Sequence, residues 1–89
     1  MSWRFEIKES AERSVSKFDI SVQHRIKERL HWLVANFDHI NPQPLEFEYK
    51  GFFKLRVGDW RIVYEVKEDE KLIIVHAVDR RDKIYKRKL

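Results

Sequence analysis

The sequence contains no cysteine, and only two glycines and two prolines occur in its 89 residues. The lack of cysteine excludes a disulfide scaffold and a thiolate metal site, and it is typical of proteins kept in a reducing cytoplasm. The scarcity of glycine and proline argues against a disordered chain. We therefore expect one folded, cytoplasmic domain that spans residues 1–89.

Long hydrophobic runs and recognisable cofactor motifs are also missing. No stretch approaches the ~20 apolar residues that a membrane span needs, and we expect no membrane partner. No Gly-rich phosphate loop or Ser-based nucleophile motif is present. The histidines do not complete a set of three or four metal ligands at sensible spacing; they are His24, His31, His39 and His76. The sequence therefore predicts neither a metal ion nor a small-molecule cofactor.

The excess positive charge lies at the end of the chain. The net charge is +4, but residues 80–89 alone carry six cations against Asp82, a balance of +5. The cations are Arg80, Arg81, Lys83, Lys86, Arg87 and Lys88. A basic terminus suits a polyanion such as RNA or DNA. A solvated tail that only aids solubility is the alternative that charge alone leaves open.

The first half of the chain predicts one strand and two helices. Trp3, Phe5 and Ile7 alternate with polar residues, which indicates a half-buried strand. Ser10 can cap a short helix that runs to about Phe18. A longer helix, opened by Asp19 or Ser21 and ending near Phe37, carries its apolar residues on one stripe: Val22, Ile26, Leu30, Leu33 and Phe37.

From Leu45 the hydrophobic period changes to two, which is typical of strands. Alternating segments are Leu45–Tyr49, Phe53–Val57 and Trp60–Val66, and Leu72–Val78 is nearly continuous apolar chain. The last of these should be a central strand covered on both faces. The pattern predicts an α+β domain in which two N-terminal helices pack on a mainly antiparallel sheet of about four to five strands.

The dipeptide Gly58-Asp59 predicts a two-residue hairpin turn and so fixes a register. In that register Val57 faces Trp60, Arg56 faces Arg61, and Lys54 faces Val63, so that one face is apolar and the other carries Lys54, Arg56 and Arg61. Like charges opposite each other destabilise a sheet, and only Glu65 compensates nearby. Three clustered cations therefore favour a bound anion, most naturally phosphate, although an acidic partner elsewhere in the fold is the alternative.

Arg81 and Tyr85 are four residues apart, so they project together from either a helix or a strand. The tail that carries them follows the predicted central strand, and they could join Lys54 and Arg61 around one phosphate. Such a set suits RNA cleavage by the RNA's own 2′-hydroxyl, which needs charge stabilisation and proton transfer but no metal. Tyr85 could instead stack on a base, or simply pack on the domain. The remaining predicted RNA contacts are Arg56, Arg80, Lys83, Lys86, Arg87 and Lys88.

Two segments resemble a known family. Residues 53–66, FKLRVGDWRIVYEV, look like the core signature of the RelE/ParE toxin superfamily, and residues 78–85, VDRRDKIY, resemble its closing motif. The resemblance implies the RelE-like fold and a toxin that cuts messenger RNA in the ribosomal A site, with a cognate antitoxin as protein partner. It also implies a catalytic set, without cofactor, of Lys54, Arg61, Arg81 and Tyr85.

The sequence departs from the family pattern at two places. Phe52 stands where the best-described nuclease of the family has a second lysine, and Asp79-Arg80 stands where many members have Gly-His before the tail arginine. Two other functions therefore stay open. One is a ParE-like toxin that poisons DNA gyrase without cutting, and the other is an RNA-binding module without catalysis.

Overall fold

A computed structural model describes residues 2–46 and 49–86. Within them the chain forms five strands and two helices, in the order β1, α1, α2, β2, β3, β4 and β5. Their bounds are β1 Arg4–Ile7, α1 Glu9–Val15, α2 Ile20–Asn36, β2 Gln43–Pro44, β3 Phe53–Val57, β4 Trp60–Lys67 and β5 Leu72–Arg80. A 3-10 turn at Ile84–Lys86, here called the C-terminal turn, follows β5.

The strands form one mixed sheet in the order β1-β5-β4-β3-β2. β1 runs parallel to β5, and the other neighbours are antiparallel. The predicted α+β class is confirmed, but the helices do not lead the chain, because β1 precedes them and the long helix lies mid-chain. In the part of the chain that the structure describes, no helix is both long and apolar enough to cross a membrane.

The long helix was predicted more accurately than the short one. α2 begins directly after Asp19, as expected, and its residues Ile26, Leu30 and Leu33 are completely buried. The predicted cap at Ser10 is wrong, because α1 begins at Glu9 and Ser10 lies inside its first turn. The alternation of β1 ends at Ile7, and the next residues enter the helix without a side-chain cap.

The strand predicted at Leu45–Tyr49 does not form in the residues described there. Leu45 and Glu46 lie outside any strand, Tyr49 lies in a turn, and Phe47 falls outside the described residues. The N–H of Leu45 donates to the Phe52 carbonyl at 2.9 Å, directly beyond the Pro44–Phe53 pair. Local turn bonds follow: the N–H of Tyr49 donates to the Glu46 carbonyl at 3.1 Å, and that of Phe52 to the Tyr49 carbonyl at 3.1 Å. The short strand β2 pairs with β3 instead, through Gln43 and Pro44.

Both faces of the sheet bury apolar residues. The helix side carries the main core, which includes Trp3, Leu55, Val57, Ile62, Tyr64, Ile73, Val75 and Val78. The opposite face carries a smaller cluster of Leu45, Val63, Ala77 and Ile84. Although tryptophan is a large apolar residue that proteins usually bury, Trp32 is 39% exposed. Trp32 precedes the buried Leu33 by one position and so points away from the helical stripe.

A β-bulge between β4 and β5 breaks the alternation that the sequence predicts. Val63 pairs with Ala77 but Tyr64 pairs with Val75, so His76 is an extra residue in β5. The bulge lets Val75 and Val78, three positions apart, both enter the main core. Nε2 of His76 lies 2.9 Å from a carboxylate oxygen of Glu65 on the opposite face.

Stability at high pH should depend on Tyr64, which is 1% exposed. Burial raises the pKa of this phenol to about 12. Above pH ~10 the unfolded phenol ionises first, so stability is lost as pH rises toward 12, by up to about 1.4 kcal/mol per pH unit. Below pH ~10 both states are neutral and the group has no effect. Urea unfolding of the wild type and Tyr64→Phe at pH 8 to 11.5 measures this, and curves that stay parallel would contradict it.

Candidate functional site

The hairpin of β3 and β4 has the predicted register. Val57 pairs with Trp60, Arg56 with Arg61, and Lys54 with Val63. Because alternate side chains point to opposite faces, Lys54, Arg56 and Arg61 project from the face away from the helices. We call this side of the hairpin the cation face.

Gly58 makes the tight turn between the two strands possible. Its φ is +57°, a conformation that L side chains rarely adopt. A Cβ atom at this position would also lie 2.5 Å from Nη2 of Arg25. The positive φ therefore favours glycine at this turn, whereas the end of the flexible Arg25 side chain could move away from a Cβ atom.

Arg61 is held against the hairpin turn. Its Nη1 donates to the carbonyls of Gly58 at 2.8 Å and Trp60 at 2.9 Å. These two bonds use the two hydrogens of Nη1, while three N–H groups of the guanidinium belong to the other nitrogens. The backbone thus orients the side chain and keeps most of its donors for another acceptor.

The chain brings Arg81 to the same turn. The backbone N–H of Arg81 donates to the Asp59 carbonyl at 2.9 Å, and the residue shares a shallow surface depression with Asp59, Arg80 and Asp82. In the adjoining strand, Asp79 lies opposite Arg61. Arg61 and Arg81, which are 20 positions apart in the sequence, are therefore both anchored at the Gly58-Asp59 end of the sheet.

The C-terminal turn sits over the middle of the cation face. Ile84 is 1% exposed and packs with Val63 and Ala77. Because Val63 pairs with Lys54 in the sheet, the packing of Ile84 against Val63 places the C-terminal turn near Lys54. Tyr85, the next residue, is 41% exposed.

Tyr49 holds the C-terminal turn from the other side. Its hydroxyl donates to the Tyr85 carbonyl at 2.7 Å, and the two rings meet edge to face with centroids 6.2 Å apart. The sequence pattern does not indicate Tyr49 as part of the site. The two tyrosines are 36 positions apart, and no local pattern links them.

The other predicted RNA contacts are spread more widely. Arg80 lies over the ring of Trp60 at 5.4 Å, and Trp60 packs on Phe18, so Arg80 belongs to the helix side of the sheet. Lys83 and Lys86 are exposed in the tail. Arg87 and Lys88 lie outside the described residues.

Replacing Tyr49 with Phe should loosen the C-terminal turn. The variant loses one hydrogen bond worth about 1 kcal/mol. The reporter is the Lys86 amide, which donates to the Lys83 carbonyl at 3.0 Å within the turn. A loss of about 1 kcal/mol corresponds to roughly fivefold faster hydrogen exchange of this amide. Hydrogen exchange followed by NMR measures this rate. Tyr85→Phe is the matched control, because Tyr85 supplies only its backbone carbonyl to the bond. Equal rates in the two variants would show that the Tyr49 hydroxyl does not hold the turn.

Known proteins match this chain in sequence and in fold. Residues 5–85 match the family described as ParE toxin of type II toxin-antitoxin system, parDE. The chain therefore belongs to the ParE toxin family of the RelE/ParE superfamily, and it is a toxin of a type II toxin–antitoxin system. A comparison with curated proteins finds no match.

Solved structures share the fold. The toxin–antitoxin complex RelBE2 from Mycobacterium tuberculosis has a chain that is 21% identical, with a TM-score of 0.81, covering 91% of this chain and 100% of that one. A mutant of the E. coli toxin RelE in the free state is 21% identical, with a TM-score of 0.75, covering 96% and 90%. A chain of the YoeB-YefM complex from Staphylococcus aureus is 17% identical, with a TM-score of 0.70, covering 89% and 97%. The fold is therefore RelE-like.

Proposed function

We propose that this toxin is an endoribonuclease that cuts messenger RNA in the ribosomal A site and needs no metal ion or other cofactor. The proposal is supported chiefly by the cation face. The hairpin register groups three cations there, and the tail adds Arg81 at the hairpin turn and Tyr85 next to Ile84, which packs with Val63. A phosphate bound on this face would meet donors from the hairpin and from the tail.

The proposed reaction is an attack of the 2′-hydroxyl oxygen on the neighbouring phosphorus. A bond from O2′ to phosphorus forms while the bond from phosphorus to O5′ breaks, which yields a cyclic phosphate end and a free 5′-hydroxyl. The hydroxyl proton leaves to a base, and the departing O5′ takes up a proton. Lys54, Arg61 and Arg81 would stabilise the negatively charged phosphorane.

The chemistry of each side chain determines which of the two proton transfers it would perform. Arginine stays protonated in proteins, so Lys54 is the cation of this set that can give a proton to the leaving oxygen. Tyr85 is the hydroxyl-bearing member, and it would orient or activate the 2′-hydroxyl. The exposed cations nearby, such as Arg56 and Lys86, would bind flanking phosphates.

The proposed partners are a cognate antitoxin, the ribosome and messenger RNA. RelBE2 and YoeB-YefM are complexes of a toxin with its antitoxin, which supports an antitoxin for this chain. An antitoxin with an acidic segment would complement the cation face and block it. Ribosomes and messages meet in the cytoplasm, where this toxin would act.

A ParE-like toxin that binds DNA gyrase without cutting nucleic acid is the second candidate. The matching family is described as ParE toxin, and Phe52 stands in the position of an expected lysine. Phe52 packs edge-on against His76 at 4.8 Å, so it fills the second apolar cluster rather than contributing charge.

The deciding experiment adds the purified toxin to programmed ribosomes and maps the ends of the message. Cuts at the A site with cyclic phosphate ends are the expected result. An intact message together with blocked supercoiling by DNA gyrase would replace the proposal with the ParE-like one. Ribosome binding without either effect would indicate an RNA-binding module.

A further inference from the structure

The strand β1 leaves one edge of the sheet open. Among residues 2–46 and 49–86 it pairs with β5 alone. The N–H groups of Arg4 and Lys8 donate toward β5, at 3.0 and 2.9 Å. Because the backbone groups of alternate residues point to opposite sides of a strand, those of Phe5 and Ile7 point to the open edge. Such an edge is a template for another strand.

The apolar face of β1 is incompletely covered. Phe5 and Ile7 point to the helix side, where they pack against the main core but stay half-buried. The ring of Phe5 meets that of His31 in α2 edge to face, with centroids 5.1 Å apart. A strand added beyond β1 would remove more of this apolar surface from water, which is favourable.

The other face of β1 carries one charge of each sign. Arg4 and Glu6 are exposed and project from the same face, because they are two positions apart. Their neighbours in β5 are Leu72 and Ile74, so the described part of the sheet places no opposite charge beside either of them. Arg4 donates to the Glu70 carbonyl at 3.0 Å, which leaves its other N–H groups for a carboxylate.

A second copy of β1 supplies the missing charges in one register. Antiparallel strands bond through residues whose backbone groups both face the shared edge, so Phe5 and Ile7 must lie opposite odd-numbered residues of the second copy. With Phe5 opposite Phe5, Arg4 of each copy lies opposite Glu6 of the other. Sliding one strand by two residues puts Arg4 opposite Arg4, or Glu6 opposite Glu6, and like charges opposite each other destabilise a sheet.

The same register brings the opposite charges close together. Phe5 opposite Phe5 is a hydrogen-bonded pair, so the flanking pairs of Arg4 with Glu6 are of the other kind, with Cα atoms only ~4.5 Å apart. On the helix side the two phenyl rings meet across the axis, and aromatic cross-strand pairs also stabilise a sheet.

We propose that two copies of this toxin associate through β1, in an antiparallel two-fold dimer with one continuous sheet. The dimer leaves both cation faces open, because β5 separates β1 from the hairpin of β3 and β4. It therefore does not depend on the proposed cleavage of RNA. A strand of four residues is short, so the interface is small and the dimer is weak.

Charge-exchange variants test the dimer by sedimentation velocity, at about 10 µM to about 1 mM protein. Arg4→Glu and Glu6→Lys should each weaken association about 10- to 100-fold, because each replaces two pairs of opposite charge with two pairs of like charge. The double variant restores opposite pairs and should associate like the wild type. Glu28→Lys, the same change of charge at an exposed position of α2, is the matched control and should also dimerise normally.

Hydrogen exchange locates the interface independently. The amides of Phe5 and Ile7 should exchange more slowly as the protein concentration rises, since both would bond across the shared edge. Recovery in the double variant shows that the single variants did not simply misfold. A toxin that stays monomeric up to about 1 mM would overturn the inference. So would a dimer that both single variants leave intact, or one that forms without protecting these two amides.

Discussion

Arg81→Ala and Tyr85→Phe should each relieve the growth inhibition that expression of this toxin causes. Removing a donor that stabilises the transition state costs about 100- to 1,000-fold in rate, and losing a proton-transfer group costs about 100- to 10,000-fold. Arg81 is the tail cation at the hairpin turn, and Tyr85 is an exposed residue that follows Ile84, which packs with Val63. Colony counts after induction and single-turnover cleavage on programmed ribosomes measure the two effects.

Both variants should keep the fold, because the contacts that anchor these residues are made by the backbone. The Arg81 N–H still donates to Asp59 in an alanine variant, and the Tyr85 carbonyl still accepts from Tyr49. Melting temperatures within about 3 °C of the wild type are expected, because such surface changes alter stability by less than about 0.5 kcal/mol. Arg13→Ala, which removes an exposed ion pair with Glu9 within α1, is a control that should stay toxic. Full toxicity of both site variants at wild-type expression would refute the roles proposed for Arg81 and Tyr85.

Leu30→Ala should be the most destabilising of the substitutions considered. Leu30 is 0% exposed at the centre of the α2 stripe, and truncating a buried leucine costs about 2–5 kcal/mol. A domain of 89 residues has a total stability of about 4–13 kcal/mol. Urea unfolding should therefore show that the variant has lost a large part of its free energy of unfolding.

The matched control for that prediction is Ile20→Ala. Ile20 belongs to the same helix but is 65% exposed, so its truncation should change the free energy of unfolding by less than about 0.5 kcal/mol. Similar losses in Leu30→Ala and Ile20→Ala would mean that the α2 stripe does not form the core described here.

The features that the sequence predicted correctly are local. The register of β3 and β4 follows from a two-residue turn, because a short loop leaves one way to pair the flanking strands. The buried stripe of α2 follows from a period of 3.6 residues. The pairing of Arg56 with Arg61, and with it the cation face, was therefore predictable without coordinates.

The features that the sequence did not reveal depend on distant contacts. Because β5 has a bulge at His76, both Val75 and Val78 lie in the main core. In a regularly alternating strand, two residues three positions apart would point to opposite faces. The segment after Leu45 alternates like a strand, yet the described N–H groups of Tyr49 and Phe52 donate to carbonyls three positions back, as in a turn. Trp32 looked like a core residue by type, and only the orientation of α2 exposes it beside Arg29.

By itself the sequence determined the α+β class, the hairpin that groups Lys54, Arg56 and Arg61, and the resemblance to RelE/ParE toxins. Tertiary structure alone decided that Arg81 anchors at the hairpin turn and that Tyr49 holds the C-terminal turn. The physical reason is the range of the interactions. Periodicity and turn geometry act over a few residues, whereas burial of Ile84 and the bond from Tyr49 join segments that are far apart in the chain.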